Sequence, residues 1–266
     1  MKFVTAQNHR VTTINNMLLD DSTFEGLLTA IFEVFEYRFE NVEIISKLNY
    51  TQENFFAETH EVITDLAKSD RVLKKVEENL GKNGMGILLA VFLSEHKNLE
   101  RLILSAVKHS INHPKQNILQ DFAHQDILEI SKIVRSVGRE RHRMTAFVRF
   151  EKMQDETFFA KIEPDFNVLP LVRTFFKKRF ADQKWMIFDL KRNYGIFYDL
   201  KEADFLYPEE NFSLKNQKEL LHNEELAYQK LWQRYYKKTN IESRKNDKLH
   251  IQHLPKRYWK YLTEKF

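Results

Sequence analysis

The chain has 266 residues, of which 42% are hydrophobic and 30% are charged, and it contains only six glycines and five prolines. This composition predicts a soluble globular protein without long flexible linkers. The sequence has no cysteine, which excludes disulfides, iron–sulfur clusters, cysteine-ligated zinc and thiol nucleophiles. No apolar signal segment opens the chain and no apolar run approaches the roughly 18–20 residues of a membrane span, so we expect a cytoplasmic protein.

The net charge of +4 is unevenly distributed along the chain. Residues 1–131 contain 13 Lys and Arg against 19 Asp and Glu, which leaves −6, and residues 132–266 contain 29 against 19, which leaves +10. A clustered basic excess favours a polyanionic partner such as nucleic acid. The alternative is that the acidic and basic halves attract each other.

The first half of the chain predicts short strands followed by several helices. Residues 1–10 and the segment that ends at Leu18-Leu19 have the pattern of strands. Asp, Ser and Thr at 21–23 are helix-capping residues, and the apolar residues up to Phe35 recur at helical spacing, which predicts a helix. The other predicted elements of this half are a strand at 58–64 and helices at 65–80, 86–110 and 117–138.

In the second half the pattern changes to the alternation that is typical of strands. The predicted elements are a hairpin of strands 144–153 and 157–163, a helix at 166–180, a hairpin of strands 185–190 and 194–200, and a helix ending near 239. We therefore predict an α+β fold: a helical N-terminal half, an antiparallel sheet built from two β-hairpins separated by a helix, and C-terminal helices. The chain is interpreted as a single domain, 1–266, divisible into subdomains 1–140 and 141–266.

The segment 138–150 contains four arginines and one histidine. Guanidinium groups this close repel one another unless an anion neutralises them. One guanidinium donates two parallel hydrogen bonds to a phosphate, so one hypothesis is that the cluster binds phosphate. The alternative is an internal network of ion pairs with Glu140, Glu151, Glu163 and Asp165. The candidate phosphate-binding residues are Arg139, Arg141, Arg143 and Arg149.

His142, Glu163 and Asp165 form the candidate catalytic group. A neutral imidazole beside two carboxylates is able to act as a general base, although a structural histidine is the commoner outcome. Pro164 fixes the backbone between the two carboxylates. Orientation of arginines is favoured over metal binding, because two carboxylates without a third ligand are weak evidence for a metal. We therefore predict no metal and no cofactor.

The region 234–266 is basic and aromatic, with ten Lys and Arg against three Asp and Glu. Such a mixture is typical of surfaces that follow a nucleic-acid backbone and stack unpaired bases. The alternative is that the rings anchor the segment in the core. His250 and His253 have the spacing of metal ligands on a helix, but without a third ligand zinc is not expected. The candidate nucleic-acid contacts here are Lys256, Arg257, Tyr258 and Trp259.

Five blocks of the sequence together resemble one bacterial family of unknown function. They are DSTFEGLL at 21–28, VGRERHRM at 137–144, FVRF at 147–150, IEPDFNVLP at 162–170 and HLPKRYWKYL at 253–262. The family is described as a probable DNA metabolism or repair protein. The blocks add Asp21, Glu25 and His253 to the residues of interest. Ser22 stands where the family usually has glycine, so we expect a tight turn to be relaxed here.

Members of this family accompany a DNA-modification radical-SAM protein, and some are fused to a uracil-DNA-glycosylase-like domain. The motifs of that glycosylase and the cluster-binding cysteines are absent from this chain. The resemblance implies an accessory role in DNA repair or DNA metabolism, in which the basic half binds DNA and a radical-SAM partner performs the chemistry. Two alternatives stay open: an enzyme that acts on damaged or modified nucleotides through His142, Glu163 and Asp165, and a protein-interaction module without DNA binding.

Overall fold

A computed structural model describes residues 16–50, 58–114, 116–208, 220–239 and 246–265. The strand predicted for residues 1–10 lies outside the described residues. The chain divides into two compact units, residues 1–134 and 135–266, here called the N-terminal and C-terminal units. Within the described ranges, no helix has the length and apolar character needed to cross a membrane.

The N-terminal unit contains a small parallel sheet as well as helices. Its strands are β1 (Asn16–Asp20), β2 (Val42–Ser46) and β3 (Glu58–Glu61), in the order β2-β1-β3. Helix α1 (Phe24–Glu36) connects β1 to β2, which are paired in parallel. The strands predicted near Leu18 and at 58–64 are confirmed. Strand β2 was missed, because its short VEIIS segment does not alternate clearly between polar and apolar residues.

Two long helices of this unit differ from the prediction. Helix α2 (Leu66–Phe92) continues through Gly81, where the backbone kinks with φ 70° and ψ 179°, so the predicted stop is a kink. Helix α3 (Leu99–Asn112) begins only after a turn that contains Glu95 at φ 53°. The single helix predicted at 86–110 is therefore wrong, since the chain turns between α2 and α3.

Helix α4 (Gln125–Phe147) follows a 3₁₀ turn at Ile118–Gln120 and extends nine residues beyond the predicted end at 138. Arg, Glu and Met are strong helix formers. Val137, Glu140 and Met144 are also buried at helical spacing, so the helical pattern continues through the arginine-rich segment. The strand predicted at 144–153 is reduced to β4 (Glu151–Lys152). The arginines at 139, 141 and 143 thus lie on a helix.

The C-terminal unit is built around a five-stranded sheet in the order β4-β5-β6-β7-β8. Both predicted hairpins are confirmed, since β4 pairs antiparallel with β5 and β6 pairs antiparallel with β7. The hairpins join through a parallel pair of β5 and β6, so the sheet is mixed rather than antiparallel. The remaining strands are β5 (Phe158–Ile162), β6 (Trp185–Asp189), β7 (Tyr194–Tyr198) and β8 (Ala203–Leu206).

Helix α5 (Leu169–Arg179) makes the crossover between the parallel strands β5 and β6 and supplies aromatic residues to the core. Phe176 and Trp185 are fully buried with ring centroids 6.0 Å apart. The chain then continues into α6 (Glu225–Thr239), α7 (Asp247–His253) and two short 3₁₀ helices, Lys256–Tyr261 and Thr263–Lys265. The predicted α+β fold class is confirmed.

Candidate functional site

A buried carboxylate on α4 organises the C-terminal unit. Glu140 is 1% exposed, and its Oε1 accepts hydrogen bonds from the backbone N–H of Asp165 at 2.9 Å and from the hydroxyl of Tyr258. Its Oε2 accepts a hydrogen bond from Nη2 of Arg257 at 3.0 Å. A buried carboxylate needs such partners, because an unpaired charge in the interior is costly. Glu140 therefore connects α4, the turn after β5 and the C-terminal 3₁₀ helix.

Arg257 and Tyr258 complete this network. Nη2 of Arg257 lies 2.7 Å from Oδ2 of Asp165 and donates to the Tyr258 hydroxyl at 2.6 Å. Burial, together with the hydrogen bond to Glu140, raises the pKa of Tyr258 well above its ordinary value, so the phenol stays neutral. Tyr258 is only 3% exposed, so its ring lies in the core and is not available for stacking on a base.

The turn Glu163-Pro164-Asp165 is held from several directions. Arg192 donates to the carbonyl oxygens of Pro164 at 3.2 Å and Asp165 at 3.1 Å. Glu163 forms an ion pair with Lys260 and accepts a hydrogen bond from the Tyr261 hydroxyl at 2.6 Å. These two hydrogen bonds lower the pKa of Glu163 below its ordinary value.

Each of the two predicted carboxylates therefore has its own cation. Glu163 pairs with Lys260 and Asp165 pairs with Arg257, whereas none of the four arginines of segment 138–150 contacts either carboxylate among the described residues.

Those four arginines fall into two groups. Arg143 lies 3.5 Å from Glu140, and Arg149 binds Glu264 through Nη2 at 2.7 Å, so both belong to internal ion pairs. Arg139 and Arg141 are exposed on α4, and neither pairs with a carboxylate among the described residues; Arg139 donates to Ser136 at 3.0 Å. Arg143 and Arg149 thus fit the interpretation as internal ion pairs, whereas Arg139 and Arg141 are available to bind an external anion.

The candidate catalytic group is not assembled through direct contacts. His142 is exposed on α4, and its imidazole makes no hydrogen bond to a described residue. Glu163 and Asp165 are engaged by the cations named above. Acid–base chemistry by these three residues stays a prediction.

A basic cleft of about 480 Å³ opens beside the turn after β5. Its four cations outnumber its two carboxylates, and Lys256 is exposed and lies 5.9 Å from the ring of Trp259. The Trp259 indole is itself fixed, because its Nε1 donates to the carbonyl of Leu254 at 3.1 Å. The lining residues are Glu163, Pro164, Asp165, Lys191, Lys256, Arg257 and Lys260.

The exposed aromatic surface lies on helix α6, whereas the sequence analysis favoured residues nearer the C-terminus. At 100° per residue, four large side chains share one side of this helix, and all are exposed: Tyr228, Leu231, Trp232 and Tyr235. Four cations that pair with no described residue continue round the same helix, first Lys238 and Arg234 next to Leu231, and then Lys230 and Lys237. We call these eight residues the α6 face.

The aromatic pair of the α6 face is held in a fixed orientation. Trp232 is 40% exposed and Tyr235 is 58% exposed, and their rings stack with centroids 5.6 Å apart and an interplanar angle of 30°. Nε1 of Trp232 donates to Oε2 of Glu264 at 3.0 Å, and the Arg149 guanidinium lies 6.0 Å from the Trp232 ring. The sequence interpretation missed Trp232, although its i, i+3 and i+4 spacing with neighbouring apolar residues was a usable signal.

The remaining residues of interest have structural positions. Asp21 accepts hydrogen bonds from both the backbone N–H and the hydroxyl of Thr23, at 3.0 and 2.6 Å, and from Thr64 at 2.7 Å. It thereby joins the start of α1 to the segment after β3. The adjacent Ser22 has a φ of 68°, so the expected relaxation of this turn is wrong. Glu25 is exposed in the first turn of α1, where a carboxylate is favoured by the helix dipole. His253 is exposed at the end of α7.

The chain matches the family model of a domain of unknown function, DUF4130, over residues 97–264. This match covers more than half of the chain, so the protein belongs to that family. Searches of the curated proteins and of the solved structures each found no match. The matched range includes Glu140, the arginine-rich segment and the α6 face, whereas Asp21 and Glu25 precede it.

Proposed function

We propose that this protein binds nucleic acid through the α6 face and serves as an accessory protein in DNA metabolism or repair. The observation that carries this proposal is the exposed stack of Trp232 and Tyr235 beside four cations that have no partner among the described residues. The +10 excess of residues 132–266 supports the same assignment.

The chemistry of the α6 face suits an unpaired strand. Stacking of a base on an aromatic side chain contributes about 1–3 kcal/mol. Lysine and arginine neutralise phosphates and release their counterions, which makes the binding sensitive to salt. Trp232 needs no reorientation to receive a base, because Glu264 already fixes its indole. We therefore propose a preference for single-stranded over double-stranded DNA.

Arg139 and Arg141 supply a second candidate contact to the phosphate backbone. Both are exposed on α4 and lack a carboxylate partner among the described residues. Guanidinium groups bind phosphate oxygens with paired hydrogen bonds. Lys256 and the other cations of the basic cleft would add to the same positive potential.

The proposed partner is a DNA-modification radical-SAM protein. This part of the proposal is supported by the resemblance of five sequence blocks to a family whose members accompany such an enzyme. Co-purification of the two proteins from cells that express both would test it, and failure to co-purify at low salt would contradict it.

The direct test of DNA binding is fluorescence anisotropy with a labelled 20-nucleotide single strand and the matching duplex, at low and at physiological salt. We expect the single strand to bind more tightly and the double variant K230E/R234E to reduce its affinity by more than tenfold. Lys82→Glu is a control for charge reversal elsewhere, since the exposed Lys82 side chain of the N-terminal unit forms no ion pair or hydrogen bond with a described residue. Absence of binding at low salt, or equal losses in the K230E/R234E and Lys82→Glu variants, would contradict the proposal.

A further inference from the structure

A separate cavity of about 730 Å³ lies within the C-terminal unit, between strand β5, helix α6 and the C-terminal 3₁₀ helices. Cavities of about 300–1,000 Å³ are of the size that holds a small organic ligand. Trp232 and Tyr235 do not line it, although Arg149 of its wall lies 6.0 Å from the Trp232 ring. The lining residues that matter here are Arg149, Lys161, Gln229, Gln233, Lys260 and Tyr261.

Lys161 brings to this cavity a cation without a partner among the described residues, whereas Glu151 is the carboxylate that lines the same cavity. It lies on β5 between the buried residues Ala160 and Ile162 and is itself half-buried. Lysine is rarely buried without a partner, yet Lys161 forms no ion pair or hydrogen bond with a described residue. The two other lining cations are different, because Arg149 pairs with Glu264 and Lys260 pairs with Glu163. Lys161 is therefore placed to bind an anionic group of a ligand.

Two glutamine side chains present acceptors to the same cavity. Nε2 of Gln229 donates to Glu225 at 3.1 Å, and Nε2 of Gln233 donates to the carbonyl of Thr263 at 3.0 Å. These bonds leave the amide oxygen of each glutamine without a donor among the described residues. Oriented carboxamides of this kind are suited to the donor groups on the edges of nucleobases. A ligand that complements the cavity thus carries both an anion and an N–H donor.

Tyr261 supplies a neutral aromatic wall. Burial, together with the neighbouring Glu163 carboxylate, raises the pKa of Tyr261 to about 12, so the phenol is not ionised at neutral pH. An aromatic ring, a cation and amide acceptors are the side-chain types that bind the base and phosphate of a nucleotide.

We propose that this cavity binds one nucleoside monophosphate, with Lys161 contacting the phosphate and the oxygens of Gln229 and Gln233 accepting from an exocyclic amine of the base. The choice of nucleotides as the ligand class rests on the proposed function, whereas the anion and the donor group follow from the cavity itself. Cytosine and adenine carry such an amine and thymine does not.

Isothermal titration calorimetry of the full chain with dCMP tests the proposal, with dTMP, deoxycytidine and inorganic phosphate as comparison ligands. We expect dCMP to bind at least about tenfold more tightly than each of the three, since a hydrogen bond to a charged group and one to the base edge each contribute that much. Lys161→Met should weaken dCMP binding by about tenfold or more. Lys184→Met is the matched control, because the exposed Lys184 side chain, next to the same sheet, forms no ion pair or hydrogen bond with a described residue.

Failure of dCMP to bind at millimolar concentration would overturn the proposal, as would equal binding of dCMP and inorganic phosphate or equal losses in the Lys161→Met and Lys184→Met variants. Circular dichroism of each variant establishes that it is folded, and Lys161→Gln provides a second replacement if Lys161→Met is not. Tyr235→Ala separates the two sites, because the Tyr235 ring stacks on Trp232 and does not line the cavity: it should weaken binding of the labelled single strand and leave dCMP binding unchanged. A chain that binds dCMP but no oligonucleotide would refute the α6 face alone.

Discussion

The hydroxyl of Tyr258 donates a hydrogen bond to the carboxylate of Glu140, although 118 positions separate the two residues in the sequence. Both side chains are buried, and Arg257 contacts both of them. This contact fixes the C-terminal 3₁₀ helix against α4. It also explains why Tyr258 is a structural residue, whereas Trp232 and Tyr235 on α6 are exposed.

We expect Glu140→Gln to lower the free energy of unfolding of the C-terminal unit by on the order of 3 kcal/mol, because it leaves Arg257 without its buried counter-charge. Urea denaturation followed by tryptophan fluorescence measures this unit alone, since all three tryptophans, at 185, 232 and 259, belong to it. Glu156→Gln is the control, because Glu156 is exposed and its surface ion pair with Lys152 should contribute little to stability. Similar losses in the two variants would contradict the role of Glu140.

Gly26 in α1 should be intolerant of a side chain. A Cβ at this position would lie 2.1 Å from Oδ1 of Asp21, whose carboxylate is already held by Thr23 and Thr64. We expect Gly26→Ala to destabilise the N-terminal unit by about 1–3 kcal/mol. Gly86→Ala, in a helix with open space around the position, should instead be neutral or stabilise by up to about 1 kcal/mol.

Thermal unfolding monitored by far-ultraviolet circular dichroism measures both glycine variants. Asp21→Ser in the Gly26→Ala background removes the clashing carboxylate and should recover part of the lost stability. If Gly26→Ala and Gly86→Ala unfold at the same temperature, the steric conflict with Asp21 does not exist.

Glu264 should give the C-terminal unit a dependence on acidic pH. Its burial acts to raise its pKa, but the hydrogen bonds from Arg149 and Trp232 outweigh that effect and hold the pKa below its ordinary value. A carboxyl group whose pKa is lower in the folded state stabilises the fold above its unfolded pKa of about 4.3. That stabilisation is lost as the pH falls through the lower, folded pKa.

The corresponding measurement is urea denaturation of Glu264→Gln and the unmodified chain between pH 7 and pH 3. We expect the variant to be less stable at pH 7 and the difference to shrink as the pH falls below about 4. Glu202→Gln is the control, since Glu202 pairs with Lys177 at the surface. A difference that stays constant across this range would show that Glu264 does not titrate as described.

Salt dependence separates the two kinds of contact proposed for the α6 face. Arg234→Ala should reduce the slope of log affinity against log salt concentration for a single strand by about 1, because one phosphate contact is lost. Trp232→Ala should weaken binding by about 1–3 kcal/mol with little change in that slope, because stacking releases no counterions. Phe122→Ala is the control for Trp232, as an exposed aromatic residue of the N-terminal unit. Equal slopes in the Arg234→Ala variant and the unmodified chain would argue against a phosphate contact there.

Local patterns in the sequence were sufficient for several parts of the fold. The hairpin of β6 and β7, helix α5 and a helix start within residues 21–23 each depend on residues close together in the chain, so alternation and capping signals predicted them. The end of α4 was mispredicted for the same reason. The run from Ala146 to Phe150 alternates like a strand, and only the burial of Val137, Glu140 and Met144 on one side extends the helix.

Composition and short-range periodicity were enough to predict the α+β class, the two hairpins and the basic character of the second half. Only the tertiary structure shows which charged side chains have an ion-pair partner. Lys260 and Arg257 are paired with Glu163 and Asp165 through contacts across more than 90 positions. Arg139, Arg141 and the cations of the α6 face lack such partners among the described residues. Ion pairing depends on positions in space, and no spacing along the chain encodes it.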